Sequence, residues 1–363
     1  MDVVRQVAQA VLYEGYLLWP YRRSALKNQH RWTIGGVYPR PLGGAYDAGP
    51  HLTQTQCLLA ADPQDTVDVR VRFLQVVVRD VSRLRGGRLE PVPELVVGTE
   101  RYLSWEEATE REVVAEDLPV AMLTEAPCHV PIRIAAGRRI EWLRSPTDEG
   151  RVGAVLRHWQ ELHGRLDVGA ERVGPGMYRL TVRIDNTTAW YGQDRPSALR
   201  RTFVSAHAVI HAGRGRLVSL TDPPENLAAL AAGCDNIGTW PVLVGAEGDR
   251  HTMLSAPVIL PDYPQVAPES PGDLFDATEI DQLLTLNILT LSDDERREMR
   301  DSDPRAREIL DRCAALTPAQ LMRLHGRLRE IDRFGPALRE GRDVSGVEFW
   351  DLPFGPALRE AEA

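Results

Sequence analysis

The sequence predicts a mainly β protein, an antiparallel sandwich or open barrel, followed by a helical C-terminal region, so that the whole chain is α+β. Two observations predict this fold. Apolar and polar residues alternate from residue 51 to about residue 265, and helix-capping signals follow that region. The alternation is clearest in VDVRVRFLQVVVRDV (67 to 81), where Val69, Val71 and Phe73 share one face of a strand.

Further runs show the same period of two and predict the other strands of a core spanning residues 51–265. They are PIRIAAGRRIEWL (131 to 143), MYRLTVRI (177 to 184), RTFVSAHAVIHAG (201 to 213), GRLVSL (215 to 220), WPVLVG (240 to 245) and MLSAPVIL (253 to 260). The Gly213-Arg214-Gly215 turn predicts a hairpin between two of these runs. Two helical inserts are also predicted, one from Ser104 with Glu107 completing a capping box, the other after Asp222-Pro223.

Residues 1–50 are predicted to form a helix and then an irregular segment that wraps the fold. Val4, Val7 and Val11 have helical spacing. From Tyr13 onward the chain combines tyrosine, tryptophan and basic residues with many Gly and Pro residues, which prevent long regular elements.

Residues 266–330 are predicted to form four short helices in series. Their start signals are Thr278, the capping box of Ser292 with Glu295, the pair Asp303-Pro304, and the run Thr317-Pro318-Ala319-Gln320. The tail, residues 331–363, contains FGPALRE twice, at 334 to 340 and at 354 to 360. The two copies are either equivalent docking peptides or a chance duplication in a flexible tail.

Composition excludes some classes of function. The 363 residues carry a net charge of −9, which argues against a general nucleic-acid-binding protein. No signal peptide and no apolar run of the roughly 20 residues needed to cross a bilayer are found, so we expect a cytoplasmic protein without membrane insertion. The four cysteines have no metal-ligand spacing and are expected to be reduced thiols, and no cofactor is predicted.

Candidate catalytic residues are few. His207 and His211 lie on one face of a predicted strand, but about 13 Å apart by strand rise, too far to share an ion, so we interpret them as structural or surface residues. Cys128-His129 is interpreted as packing at a bend. His158, His163 and Asp167 suggest a hydrolase only on paper, because no G-x-S-x-G elbow is present. Phosphate-binding glycine motifs are also missing.

The sharpest candidate is a protein-binding surface in the N-terminal segment. Aromatic residues and arginine dominate the energetics of protein interfaces, and here they flank a basic cluster. The predicted partner-binding residues are Trp19, Tyr21, Arg22, Arg23, Lys27, Arg31 and Trp32. The alternative is a solvated charged face.

Several long stretches resemble a family of uncharacterised bacterial proteins encoded beside the genes of nickel-iron hydrogenases. They include YEGYLLWPYRRSALKNQHRWTIGGVYPR, TWPVLVG, SAPVILPDYPQVAPESPGDLFDATEID and LSDDERREMRDSDPRAREILDRC, with RIDNTTAW and SLTDPPE. The resemblance spans about residue 11 to residue 315. It implies an accessory role in making or assembling an uptake hydrogenase and brings no catalytic residues with it.

Two classes of function therefore remain open. The first is a non-catalytic assembly or maturation factor that binds a hydrogenase subunit or another accessory protein. The second is an enzyme, or a β-sandwich that binds a small ligand, with a pocket in the β core and with His207, His211 or the groups near Asp185 and Asn186 as its polar residues. A flat aromatic surface favours the first class, and a deep pocket where polar side chains converge favours the second.

Overall fold

The computed structural model of the protein describes residues 3–13, 34–147, 149–264, 291–302 and 304–315. The chain divides into two units, Met1–Leu324 and His325–Ala363, and all described residues belong to the first. The helices predicted at Thr278 and Thr317 and both FGPALRE copies lie outside the described residues.

The described part of the chain is dominated by strands, as the alternation predicts. The strands are β1 (Arg40–Pro41), β2 (Leu52–Ala60), β3 (Thr66–Arg85), β4 (Arg88–Val92), β5 (Glu94–Val97), β6 (Glu100–Leu103), β7 (Trp105–Pro119), β8 (Cys128–Ile134), β9 (Gly137–Arg144), β10 (Arg151–Trp159), β11 (Leu162–Gly174), β12 (Met177–Asn186), β13 (Ala189–Trp190), β14 (Val204–Ala212), β15 (Arg216–Val218), β16 (Trp240–Leu243) and β17 (Thr252–Ala256). The helices are α1 (Val3–Tyr13), α2 (Val120–Glu125), α3 (Arg195–Leu199), α4 (Ala228–Ala232), α5 (Asp293–Ser302) and α6 (Pro304–Ala314), with a 3₁₀ turn (Glu225–Leu227) before α4.

The strands form two large open sheets in which every pairing is antiparallel. The eight-stranded sheet has the order β16-β17-β14-β3-β10-β9, and β7 and β4 pair with the other edge of β3. The five-stranded sheet has the order β15-β2-β12-β11-β8. Two small elements complete the set, the parallel pair β1 with β13 and the hairpin of β5 with β6. The mainly β, antiparallel sandwich prediction is confirmed.

The main core lies between the two sheets. Val69, Val71 and Phe73 on β3 are fully buried, as the alternation predicts, and they belong to one cluster with Leu166 of β11 and Leu180 of β12. Burying side chains of this size contributes about 1.5–3 kcal/mol each to folding. The apolar face of β3 therefore accounts for the pairing of the sheets.

A buried hydroxyl network links the sheets inside this core. Thr55 Oγ1 of β2 lies 2.6 Å from Ser255 Oγ of β17, and Ser255 Oγ also contacts Thr239 Oγ1. Thr239 in turn donates to the carbonyl of Ala256 at 3.3 Å. Each hydroxyl is buried and has a partner, so the network avoids the cost of an unpaired polar group.

Helix α1 lies on the outer face of the eight-stranded sheet, and the predicted N-terminal helix is confirmed. Its buried residues Val7 and Val11 pack against Val242 and Leu254 of β16 and β17. The helix thus covers a part of the sheet that the five-stranded sheet does not contact.

Residues 34–50 contact a bulge in β14. The register with β3 shifts between Val204 and His207, and Ser205 has a positive φ of 53°. The freed amide of Ala206 donates to the Gly35 carbonyl at 3.1 Å. At the bulge, therefore, a backbone amide of β14 bonds to residues 34–50 instead of to a neighbouring strand.

The capping signals predict the C-terminal helices correctly where these are described. At α5 the Glu295 amide donates to Ser292 Oγ at 3.3 Å and the Ser292 amide donates to Glu295 Oε2 at 2.9 Å, which is the predicted capping box. Helix α6 begins at Pro304. Ile309 and Leu310 of α6 pack in a cluster with Leu74 of β3.

The helix predicted from Ser104 is wrong, because this segment forms strand β7. Ser104 Oγ accepts from the Val81 amide at 2.9 Å and donates to the Val92 carbonyl at 2.8 Å, so it bonds within the sheet instead of capping a helix. The second insert is confirmed, since the 3₁₀ turn Glu225–Leu227 and α4 follow Pro224.

Two strand assignments also need correction. The turn at Gly213 joins different sheets, because β14 belongs to the eight-stranded sheet and β15 pairs with β2, so the predicted hairpin is wrong. The run 131 to 143 divides into β8 and β9, one in each sheet. In both places the chain crosses between the layers of the sandwich, and the sequence pattern does not distinguish such a crossing from a continued strand or a hairpin.

Candidate functional site

All the predicted partner-binding residues, Trp19, Tyr21, Arg22, Arg23, Lys27, Arg31 and Trp32, lie outside the described residues. The rest of the predicted irregular segment, residues 34–50, is described. It leads directly to an exposed aromatic surface.

This surface, called here the tyrosine surface, consists of Leu42, Tyr46 and Tyr191. Tyr191 is 69% exposed, Tyr46 43% and Leu42 38%. Large apolar side chains at such exposures are costly to leave in water when they lie together, and they are typical of binding sites. No sequence motif marks Tyr191. It comes directly after β13 and lies far from Tyr46 in the sequence, and the pairing of β1 with β13 brings the two tyrosines together.

The backbone fixes the two segments that carry the tyrosine surface. The Leu42 amide donates to the Trp190 carbonyl at 2.9 Å, and the Tyr46 amide donates to the Gly192 carbonyl at 3.0 Å. Trp190 Nε1 donates back to the Tyr46 carbonyl at 3.1 Å. These bonds hold Tyr46 and Tyr191 on a preorganised frame, which lowers the entropy lost on binding.

Trp190 is the buried support of this frame. Trp190 is 4% exposed, and a Cβ at Gly192 would lie only 2.1 Å from its ring, so Gly192 permits the close approach of the chain. The Arg201 guanidinium carbon lies 5.5 Å from the Trp190 ring centroid, within cation–π range. The exposed tyrosines thus lie beside a rigid base.

Asn186 and Asp185, considered above as polar groups of a pocket, support the same frame. Asn186 Nδ2 donates to the carbonyls of Val37 and Arg201, both at 2.8 Å, and its Oδ1 accepts from the Thr188 amide at 3.0 Å. The nitrogen and the oxygen of the fully buried Asn186 side chain are thus both hydrogen-bonded. Asp185 is buried, with Arg40 Nη2 3.7 Å from its Oδ2. Asn186 is therefore a structural residue.

A second candidate is a cavity of about 510 Å³ between α1 and the outer face of the eight-stranded sheet, called here the α1 pocket. Three arginines, a glutamate and a histidine converge on it. The lining residues are Val4, Arg5, Ala8, Arg70, Arg72, Glu112, Val209, His211 and Thr252.

Most of the charge in the α1 pocket is already neutralised within the protein. Arg70 pairs with Glu116 and lies 3.6 Å from Glu112. Arg72 Nη2 lies 3.2 Å from Glu110 Oε2 and also donates to a glutamine of α1. Among the described residues only Arg5 of the three arginines has no carboxylate within ion-pair distance. An anionic ligand would therefore compete with existing pairs for most of its contacts.

The two histidines of β14 have separate environments. His211 Nδ1 lies 3.0 Å from Thr252 Oγ1 at the α1 pocket. His207 is buried, its Nδ1 lies 3.0 Å from the Ser205 carbonyl, and its Nε2 has no hydrogen-bond partner among the described residues. Burial lowers the pKa of His207 to about 4, so its imidazole is neutral at pH 7.

The remaining candidates are dispersed. Cys128 and His129 lie on a regular strand, β8, which corrects the predicted bend; Cys128 packs on the core and His129 contacts Asp167 at the surface. His158 of β10 pairs through Nε2 with Asp80 of β3 at 3.0 Å, and His163 of β11 pairs with Glu161. These two histidines therefore do not form a catalytic triad with Asp167. The described residues contain no group of three or more His, Cys, Asp or Glu side chains arranged to hold a metal ion.

The cysteines are free thiols in the described structure. Cys57 and Cys313 are buried, whereas Cys128 and Cys234 are partly buried. Burial raises the pKa of the Cys57 thiol, so that it stays protonated and unreactive at neutral pH.

Comparisons with known proteins leave the function open. No protein-family model and no curated protein sequence matches this chain. Among solved structures, a match is found to the Salmonella SPI-1 type III secretion injectisome secretin InvG (residues 176 to end) in the open gate state, with 10% identity and a TM-score of 0.11, covering 56% of each chain. A similarity at that score carries no argument about fold or function. None of the described helices has the length and hydrophobicity needed to span a membrane.

Proposed function

We propose that the protein is a cytoplasmic, non-catalytic accessory factor for the assembly or maturation of a nickel-iron hydrogenase, and that it acts by binding a hydrogenase subunit or another accessory protein. The hydrogenase context comes from the resemblance of the sequence. The observation that supports binding is the tyrosine surface, in which Leu42, Tyr46 and Tyr191 are exposed on a rigid base. In this proposal Trp19, Tyr21, Arg22, Arg23, Lys27, Arg31 and Trp32 contact the same partner.

Energetics favour this surface over the α1 pocket as the principal site. Tyrosine side chains contribute large contact areas with few rotatable bonds, and aromatic residues are enriched at binding hot spots. Among the described residues, the side chains of Tyr46 and Tyr191 make no hydrogen bond or ion pair that a partner must first break. Arg70 and Arg72 in the α1 pocket must give up carboxylates before they bind a ligand.

The test is the double substitution Tyr46→Ser and Tyr191→Ser in the tagged full-length protein, expressed in cells that make the hydrogenase. We expect unchanged thermal unfolding, because both side chains are exposed, and at least about a tenfold loss of co-purified hydrogenase subunits or maturation proteins, since two interface anchors are lost. Met122→Ser is the matched control, because Met122 is also exposed but lies on α2. Undiminished recovery of these partners with the double variant contradicts the proposed surface.

The substitutions Arg22→Ala and Arg23→Ala test the predicted basic cluster separately. We expect normal folding, weaker capture that falls further as salt rises, and reduced hydrogenase activity in cells. Normal capture together with normal hydrogenase activity would remove these arginines from the proposed interface.

The α1 pocket supports a second candidate function, binding of a small polar ligand. Its volume of about 510 Å³ falls within the range of small-molecule sites, and Arg5 supplies a positive charge that has no carboxylate partner in the described part of the chain. A ligand of this site would raise the thermal unfolding temperature of the wild-type protein, but not that of the Arg5→Glu variant. A library of small carboxylates and phosphates that shifts neither protein would count against this candidate.

A further inference from the structure

Strand β9 is an edge strand that is exposed on both faces. Among the described residues it pairs only with β10. The five consecutive residues from Arg138 to Trp142 are all exposed, and they include Ile140 at 47% and Trp142 at 37% exposure. An edge strand with free backbone amides and carbonyls and with apolar side chains is a template for pairing with another strand.

The other edges of the large sheets carry features that oppose such pairing. Strand β8 contains Pro131 and β16 contains Pro241, and a proline removes a backbone donor. Strand β15 has only 3 residues. Strand β7 is long but acidic, and it would repel a second copy of itself. In contrast, β9 is 8 residues long and contains no proline.

The charges on β9 select one partner register. A two-fold axis between antiparallel strands passes through a pair of equivalent residues, because hydrogen-bonded and non-hydrogen-bonded pairs alternate along the ladder. Centring the axis on Ile140 places Arg139 of each strand opposite Glu141 of the other. Centring it on Arg139 or on Glu141 places like charges directly opposite one another.

The opposite face of the strand is complementary in the same register. Ile140 then lies opposite its own copy, and Arg138 lies opposite Trp142. Arg151 of the same chain lies 4.3 Å from the Trp142 ring centroid, so Arg138 of the second copy would contact the other face or the edge of the ring. Glu141 already pairs with Arg157 of its own chain at 2.8 Å, yet its side chain remains 52% exposed and can accept a second guanidinium. Both faces of β9 therefore match a second β9 in one register.

We propose that two copies of this chain associate through antiparallel pairing of their β9 strands about a two-fold axis at Ile140, joining two eight-stranded sheets into one continuous sheet. The occupant of this edge is thus a second copy of the same protein. One short strand pair buries less than a standard interface, so the dimer belongs to the weak, concentration-dependent class. The proposal does not depend on the tyrosine surface or on the hydrogenase.

Charge reversal gives a test with its own rescue. Sedimentation equilibrium of the full-length protein at about 1–200 μM should show the wild-type mass rising from one chain of 40.5 kDa towards two. Arg139→Glu alone and Glu141→Arg alone should each weaken association about tenfold or more, because each creates two like-charge pairs across the axis. An equimolar mixture of the two single variants should restore it, since every opposing pair is then complementary.

The rescue also separates association from folding, because a variant that associates in the mixture must be folded. Arg133→Glu, on edge strand β8 of the five-stranded sheet, makes the same change of charge and should leave the dimer intact. A wild-type protein that stays monomeric at every concentration overturns the proposal. Growth beyond two chains, or tighter association of Glu141→Arg alone, also overturns it, because either result indicates head-to-tail pairing of β9 with acidic β7.

Discussion

Strand β3 runs through two regions of the molecule that are stabilised in different ways. Its first part, from Val67 to Phe73, lies in the body of the sandwich, where its inward side chains are fully buried against the five-stranded sheet. Its second part, from Arg79 to Arg85, lies in an extension formed with β4, β9, β10 and the β5–β6 hairpin. The body is thus held by apolar packing between two layers.

In the extension, ion pairs alternate with a small apolar cluster. Glu107 pairs with Arg79 at 3.3 Å and with Arg157 at 2.8 Å, and Arg157 continues to Glu141. Burial lowers the pKa of Arg79, and nearby Glu107 opposes that shift. Next to these ion pairs lies an apolar cluster that includes Val155 of β10. A strand can therefore continue beyond its sandwich partner if its inward charges are paired.

The comparison predicts the largest loss of stability in the body. Phe73→Ala should lower the free energy of unfolding by about 3–5 kcal/mol, because Phe73 is fully buried and its ring lies 4.6 Å from that of Phe203. Urea unfolding followed by circular dichroism measures the change. A loss below about 1 kcal/mol would show that the body is not the main source of stability.

Buried titratable groups differ between the regions, and this predicts a pH effect of intermediate size. His207, in the body, has no counterion among the described residues, and burial lowers its pKa to about 4, whereas an unfolded histidine has a pKa near 6.5. The unfolded state therefore takes up the proton first. The His207 contribution is complete above about pH 6.5 and is lost as the pH falls towards 4, at most about 3 kcal/mol in all.

His207→Gln isolates this contribution, because glutamine is polar and does not titrate. We expect the difference in unfolding free energy between pH 7 and pH 4.5 to be smaller in the variant than in the wild type by about 1–3 kcal/mol. His211→Gln is the control, because His211 is an exposed residue of the same strand. Equal pH dependence in the wild type and in His207→Gln would mean that His207 takes up its proton in the folded protein as readily as in the unfolded chain.

In the extension, removal of one carboxylate should lower stability less than Phe73→Ala does in the body. Glu107→Gln leaves Arg79 and Arg157 without their shared partner, and we expect a loss of about 1–3 kcal/mol, because these side chains are only partly screened by water. Glu90→Gln is the matched control, since Glu90 pairs with Arg85 at the surface and should change stability by less than about 0.5 kcal/mol. Equal effects of the two substitutions would show that burial does not strengthen the chain of ion pairs.

The two regions also differ in how well the sequence predicts them. Alternation identifies β3, β12 and β14 because one face of each strand meets the apolar core. It fails for β7, whose inward Glu107 pairs with two arginines, so the capping-box pattern at Ser104 is the stronger local signal there. Local residues also carry no signal for a crossing between layers, as at Gly213.

Prediction of the candidate sites has the same limit. The sequence indicates an aromatic N-terminal surface but not Tyr191, which joins Tyr46 only through the pairing of β1 with β13. Likewise, GRRIEWLR reads as an ordinary amphipathic strand. Its exposure on both faces depends on the position of β9 at the edge of the sheet. Long-range strand order therefore determines both surfaces.

The smallest expected effect on folding is at Ile140, where the extension exposes an apolar side chain. Ile140→Thr keeps a β-branched residue on the strand, so below about 1 μM protein the free energy of unfolding should stay within about 0.5 kcal/mol of wild type. Near 100 μM, pairing of β9 strands would stabilise the wild type by mass action, and the variant should then unfold at a lower denaturant concentration. Urea titrations at both protein concentrations measure the two effects. A loss above about 2 kcal/mol at the low concentration would place Ile140 in the core of the single chain, and equal midpoints at the high concentration would remove it from the axis of the dimer.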